Sequence, residues 1–379
     1  MTIDESAAPT GATAPSPAPG PPIRVVVWQW GGTRVEGGHR IQFDETARAL
    51  RALGVSAEVV NGPDYEPDGV DLVHGLGLPA EEVHRLRSAG LPVVLSTIYW
   101  DVAVADAWEH PLTVRTVLGR CRRALVFGRA ALRGVAPLTE SAIVQTRAIH
   151  RQAAAFEAAD LLLPNAEGET ASIRRELGVT TPAMVVPNAV DPDRFDQDGL
   201  PGGERDIVLS VGRIDPQKNT LGLIDALKGS GRPLVLVGAD HPDHPAYSRA
   251  CRQAGRGWVE FVGPKPPDEL RQYYARARVH VLAGWFETTG LVSLEAALGG
   301  CSLVSTDRGH AHEYLGGHAR YCDPADPASI RRAVDDAWSA APGPDMRRRV
   351  LDHYTWSHAA AATAEAYRSV LAGRRTAGA

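Results

Sequence analysis

The sequence predicts an α/β protein of two domains, each built on a parallel sheet with helices on both faces. Three observations carry this. Short apolar runs alternate with helical segments from Ile23 onward, the pattern that packs strands between layers of helices. At 379 residues the chain is long enough for two cores. A breaker-rich stretch, Asp198-Gly-Leu-Pro-Gly-Gly, interrupts the alternation near the middle and reads as a linker.

The first 22 residues are rich in Ala, Pro, Ser, Thr and Gly. They lack the cationic start and apolar core of a signal peptide and are expected to be a disordered tail. Ile23–Trp28 is a β-rich run, followed by a loop through Gly31, Gly32, Gly37 and Gly38 and a helix over Ile41–Leu53. Val70–His74, Val93–Thr97 and Leu161–Leu163 are the next buried strands, so a first domain spans 23–197. The second, 204–355, has strands at Ile207–Val211, Leu234–Val237, Val259–Val262, Val279–Leu282 and Ser302–Ser305. An Ala-rich amphipathic helix, Ser357–Leu371, fills the last segment, 356–373.

Composition narrows the function. A hydrophobic content of 44% is that of a globular protein, and a formal net charge of -5 gives no electrostatic case for nucleic acid or membrane. Cys121, Cys251, Cys301 and Cys322 show neither CxxC nor metal-ligand spacing, which suggests reduced thiols in the cytoplasm. No apolar run approaches the ~20 residues of a membrane span. The Ala, Arg and Gly richness points to a bacterium with GC-rich DNA.

The most informative segment is Gly284–Gly317, GWFETTGLVSLEAALGGCSLVSTDRGHAHEYLGG. Glu287 and Glu295 stand eight positions apart, with Gly290 between them and Leu291, Leu294, Ala297 and Leu298 following at helical spacing. This reads as a loop carrying one carboxylate, a helix starting at the glycine, and a second carboxylate one turn in. The glycine admits a ligand close to the backbone, and the free N–H groups of the helix start favour an anion such as phosphate. A phosphate cradle flanked by carboxylates suits a nucleotide-sugar. The competing reading is an ordinary surface helix.

The second signal is VLSVGRIDPQKN, Val208–Asn219. A buried strand ends at Gly212, and Arg213 and Lys218 leave its carboxyl end, where open α/β sheets bind ligands. Two cations there suit a diphosphate, Arg as a bidentate partner and Lys as a point charge. The alternative is a solvated pair in a loop.

Together these segments resemble the Glu-x(7)-Glu signature and the diphosphate-binding Gly-Arg and Lys of family-4 retaining glycosyltransferases. The resemblance extends from Ile23 to the last helix and is stronger in the second half. It implies the GT-B fold, two facing Rossmann-like domains with a C-terminal helix crossing back to the first. It also implies a metal-independent enzyme without cofactor, taking a nucleoside diphosphate-sugar as co-substrate and a small-molecule or glycoconjugate acceptor. In that reading Arg213 and Lys218 hold the diphosphate with the N–H groups of Leu291 and Val292. Glu287 and Gly290 face the donor sugar, and Glu295 accepts from the ribose.

The first half matches less closely. Gly37-Gly38-His39 before a helix resembles the loop that approaches the donor phosphates from the opposite wall, with Gly38 at the donor and His39 at the acceptor. The loop lacks G-x-G-x-x-G spacing, so a nicotinamide dinucleotide is unsupported. VVLSTIYWD, Val93–Asp101, aligns with a family segment commonly ending Thr-x-His, and Tyr99 stands where the catalytic histidine is expected. Tyr99 can orient a sugar hydroxyl but stabilises charge poorly. Trp28, Trp30, Tyr99 and Trp100 fall at strand ends, so Trp30 and Trp100 are acceptor candidates, with core packing as the alternative. VVPNAVDPDRF, Val185–Phe195, resembles the interdomain segment, with Ala189 in place of the usual glycine, and reads as a structural turn.

Arg115, Arg120, Arg122, Arg123, Arg129 and Arg133 lie in a stretch free of acids. They read as a solvated helix face, with anionic lipid or a phosphorylated acceptor as the alternative, which leaves a peripheral inner-membrane location open. His310, His312 and Glu313 are too few for a metal site. The resemblance thus implies transfer of a hexose-type sugar, in specialised metabolism or envelope glycoconjugates, with front-face attack favoured over a covalent intermediate on a carboxylate. An epimerase or phosphorylase of the same fold, or a non-catalytic nucleotide-sugar binding partner, are the other readings.

Overall fold

The computed structural model describes residues 22–30, 38–99, 151–195, 203–340 and 344–377. Its first unit is a five-stranded parallel sheet, ordered β2-β1-β3-β4-β5. The strands are β1 (Arg24–Gln29), β2 (Ser56–Asn61), β3 (Leu72–Leu76), β4 (Val93–Ser96) and β5 (Leu161–Leu163). Alternate residues of β1 serve both faces, as a covered parallel strand requires. Val25 and Val27 pack with Phe43 and Leu50 of the helix Gly38–Ala52, while Val26 and Trp28 pack with Val83 and Leu86 of the helix Ala80–Ser88.

The second unit is a six-stranded parallel sheet, ordered β11-β10-β9-β6-β7-β8. Its strands are β6 (Ile207–Val211), β7 (Leu234–Val237), β8 (Val259–Gly263), β9 (Ala277–Leu282), β10 (Ser302–Thr306) and β11 (Ala319–Cys322). The central strands and the edges β5 and β8 are the ones the apolar runs predict. Two edge strands, β2 and β11, are additions to the sequence reading. Each sits at the end of its sheet, where Glu58 and Arg320 face solvent, so neither needs a continuous apolar run.

Both sheets reverse direction of growth, the first between β1 and β3 and the second between β6 and β9. At such a point neighbouring strands send their connections to opposite faces, which opens a crevice at their carboxyl ends. Residues following β5 touch residues following β10, so these crevices open toward a common cleft. Tyr314 donates its hydroxyl to the Asn165 carbonyl and accepts the Asn188 N–H at 2.9 Å. The Glu313 carboxylate accepts the N–H groups of Glu167 and Gly168, each at 2.8 Å.

The terminal helix, Trp356–Ala377, leaves the second unit and packs on the first. Trp356, Ala359, Ala360, Ala364 and Tyr367 join the cluster of Val25, Phe43 and Leu50. Its alanines have no bulk to hold the backbone away from the helix Gly38–Ala52. Tyr367 Oη lies 2.7 Å from His74 Nδ1, and His74 Nε2 lies 2.8 Å from Ser96 Oγ. Burial lowers the His74 imidazole to about 4, so it is neutral at pH 7. Among the described residues no helix is long and apolar enough to cross a membrane.

Candidate active site

The loop after β6 is shaped by close backbone approach. A Cβ built on Gly238 would lie 1.9 Å from the Gly212 carbonyl oxygen, so only glycine fits where β7 ends. Ile214, 2% exposed, packs into the core of the second unit. Asp215, also 2% exposed, turns the chain by accepting the Lys218 N–H at 2.8 Å, a side-chain mimic of a backbone turn. Its other oxygen lies 3.4 Å from Arg213 Nε. Asn219 adopts a left-handed φ of 52° and donates its amide to the carbonyls of Ala283 and Pro324, at 3.1 and 2.8 Å. These bonds tie the loop to the segments after β9 and β11.

The segment after β9 comes from the neighbouring strand, across the reversal. Trp285 N–H donates to Gln217 O at 2.9 Å. Glu287 is 4% exposed, and its backbone is held on both sides: its N–H donates to Arg308 O at 3.2 Å and its carbonyl accepts the His310 N–H at 2.8 Å. Gly309, at φ 97°, allows this approach, since a Cβ there would lie 2.2 Å from the Glu287 carbonyl oxygen. Lys218 Nζ meets Glu287 Oε1 at 2.6 Å. Two residues assigned from separate motifs thus touch.

Gly290 takes a φ of 65° and opens the helix Leu291–Leu298, whose first N–H groups have no intrahelical acceptor. A Cβ on Gly290 would lie 3.2 Å from Leu282 Cδ1, and Leu282 lines a small cavity with Gly212, Arg213 and Lys218. Glu295, one turn in, accepts the Tyr274 hydroxyl at 2.7 Å, and burial raises its carboxyl to about 7.

The structure therefore brings Arg213, Lys218, Glu287 and Gly290 to one crevice, with Leu291 and Val292 at its helix start. Gly38 begins the helix after β1, at the first sheet's own reversal. Tyr99 does not join them. It is 2% exposed in the first-unit core and donates its hydroxyl to Glu176 at 2.7 Å, while its N–H goes to Glu169. Core packing decides the direction of that ring. Trp28 is fully buried, its indole N–H on Gly62 O at 2.7 Å, and Trp30 packs on it with ring centroids 5.2 Å apart. Trp100, the His39 side chain and the arginines of 115–133 lie outside the described residues.

Sequence reasoning passed over three contributors. Asp215 holds both cation-bearing positions, and its Asp-Pro turn signal was the available clue. Asn188, read as part of a structural turn, donates to Thr289 Oγ1 at 2.8 Å beside Gly290. Glu169 is buried beneath the cleft, accepting from Thr97, Tyr99 and Asn165, each at 2.8 Å. Nothing local in the sequence marks it.

Comparison with known proteins places this geometry. The structure superposes on sucrose-phosphate synthase from Thermosynechococcus elongatus with a TM-score of 0.71 at 19% identity, covering 93% of this chain and 100% of that one. The fold is GT-B. Residues 205–339, the part of the GT-B framework that carries Arg213, Lys218 and Glu287, match the family model of glycosyl transferases group 1. O-antigen chain mannosyltransferase B of Escherichia coli is 27% identical over 175 residues, which is 42% of this chain and 45% of the relative. The chain thus spans less than half of that relative's length. D-inositol 3-phosphate glycosyltransferase 2 of Catenulispora acidiphila is 25% identical over 409 residues, 89% of this chain and 91% of the relative.

Proposed function

We propose that this chain is a retaining glycosyltransferase that moves a hexose-type sugar from a nucleoside diphosphate-sugar to a small-molecule or glycoconjugate acceptor, without metal or cofactor. The observation that carries the reading is the convergence of two cations, a buried carboxylate and an open helix start at the β6/β9 reversal of a GT-B donor unit. A neutral ligand needs no such cations, whereas a diphosphate uses both of them and the helix start, and a sugar attached to it can donate to the carboxylate. The mannosyltransferase among the relatives supports a hexose.

In this reading Arg213 and Lys218 neutralise the diphosphate as it departs, and the N–H groups of Leu291 and Val292 take its remaining oxygens. Glu287 and Gly290 bound the sugar, and Glu295 accepts from the ribose. The acceptor hydroxyl attacks C1 from the face the diphosphate leaves. The new C1–O bond forms as the bond to phosphate breaks, and the acceptor proton passes to a phosphate oxygen. The cations that stabilise the leaving group also keep that oxygen within reach, and no enzyme nucleophile takes part.

The test is thermal unfolding with UDP, GDP, ADP and dTDP, bare and sugar-loaded, followed by product analysis with the donor that binds. Saturation at a hundredfold over Kd adds roughly 2.7 kcal/mol. Glycosylated acceptor with the anomeric configuration of the donor supports the proposal. Inverted product overturns retention, release of an isomerised sugar nucleotide identifies an epimerase, and no shift with any nucleotide overturns the donor class.

A further inference from the structure

The Lys218–Glu287 pair has an asymmetry that bears on which ligand the site prefers. Glu287 is fixed. Its backbone is held by Arg308 and His310, and a Cβ built on Gly284 would stand 3.1 Å from its Oε1. Its carboxylate is 5% exposed, and among the described residues Lys218 Nζ is the one hydrogen-bond donor that reaches it. Lys218 is the less constrained partner. Its backbone is capped by Asp215, but its ammonium rides on a flexible four-carbon stem whose side chain is 26% exposed.

We infer that Glu287 makes the site discriminate between a sugar-loaded and a bare nucleoside diphosphate, so that donor is held and product is released. The inference rests on the nucleotide-sugar reading above and deepens it. A diphosphate arriving at Arg213 competes for the Lys218 ammonium. If Lys218 turns to phosphate, Glu287 is left buried without a cation, which carries a large desolvation cost. A sugar on the diphosphate supplies hydroxyl donors to the vacated carboxylate and removes that cost. A bare diphosphate supplies none, so it takes Lys218 only against the pull of Glu287. The same carboxylate that contacts the sugar thereby lowers the affinity for the product that has lost it.

The consequence runs against the usual effect of removing a binding-site residue. Glu287→Gln keeps the shape, removes the charge and releases Lys218. Bare diphosphate is therefore expected to bind about tenfold tighter than to wild type, while the sugar nucleotide gains nothing or weakens. The experiment is isothermal calorimetry on wild type, Glu287→Gln, Lys218→Met and the double variant. The probes are UDP with UDP-glucose, GDP with GDP-mannose, ADP with ADP-glucose and dTDP with dTDP-glucose. Unliganded thermal unfolding shows that each variant is folded. The expected result is a wild-type preference for the sugar-loaded form that collapses or inverts in Glu287→Gln, with the gain for bare diphosphate absent once Lys218 is also replaced. An unchanged preference in Glu287→Gln, or a gain that persists without Lys218, overturns the inference while leaving the nucleotide-sugar reading intact. Failure of wild type to bind any of the eight probes overturns that reading and this inference with it.

Discussion

Glu313 Oε1 accepts the Gly168 N–H at 2.8 Å, a bond from one wall of the cleft to the other. Its second oxygen takes the Glu167 N–H, so one carboxylate of the second unit satisfies two free donors at a helix start in the first. The residue before Glu313 in this contact chain is His310, whose N–H holds the Glu287 carbonyl. The interdomain seam and the candidate sugar-facing carboxylate are therefore neighbours through a short stretch of backbone.

Gly168→Ala tests that connection. A Cβ there would lie 2.4 Å from His310 Nδ1 and 2.8 Å from Glu313 Oε1. Both side chains must move, and Glu313 must give up its bonds. Glu313 is exposed, so the loss of stability is expected to be only about 1 kcal/mol in denaturant unfolding. Transfer is expected to fall more, about tenfold, because His310 is displaced. Wild-type turnover in a folded Gly168→Ala protein would disconnect the seam from the site.

Arg213→Ala and Lys218→Ala are each expected to lower kcat by roughly a hundredfold, the scale on which single preorganised charge-stabilising groups act. Binding of a nucleoside without phosphates is expected to be unchanged. Steady-state kinetics and nucleoside calorimetry separate the two, and equal loss in both would mean that the loop has collapsed.

Glu287→Ala is expected to abolish measurable transfer while bare nucleoside diphosphate still binds. Loss of nucleotide binding in parallel with turnover would assign Glu287 to the fold of the crevice and remove it from the sugar contact.

Stability is expected to respond to pH in two opposed ways. Burial raises Glu295 to about 7, so between roughly pH 4.3 and 7 the folded chain holds a proton that the unfolded chain has released. That contribution is present at low pH and lost as pH rises through 7. Burial lowers His74 to about 4 and His280 to about 3, so their contribution is present above about pH 6.5 and lost as pH falls. Glu295→Gln isolates the first effect. Relative to wild type, the variant is expected to gain on the order of 2–3 kcal/mol between pH 4.5 and 8 in urea unfolding. A constant difference across that range would remove the buried carboxyl from the pH response.

What was legible in the sequence follows from how local each signal is. Val208–Asn219 and Trp285–Leu298 announce their geometry because a strand end, a glycine and a helix start lie within a few residues. The structure then places the two loops beside each other through the order of β6 and β9, which no local pattern states. Tyr99 shows the limit. Its place after a strand suggests the cleft, but the side chain packs into the core and bonds Glu176, more than seventy residues away. Glu169 and Asn188 matter through partners equally distant in sequence. The half-exposed edge strands β2 and β11 have no apolar run to reveal them.

The terminal helix has a consequence for how the molecule is made. Val25, Phe43 and Leu50 share a surface that is completed by Trp356, Ala360 and Tyr367, synthesised more than three hundred residues after Val25. The second unit, translated in between, can close its own sheet first. The first unit is thus completed after the second, and a nascent chain stalled before Trp356 would present an open apolar face beside a completed neighbour.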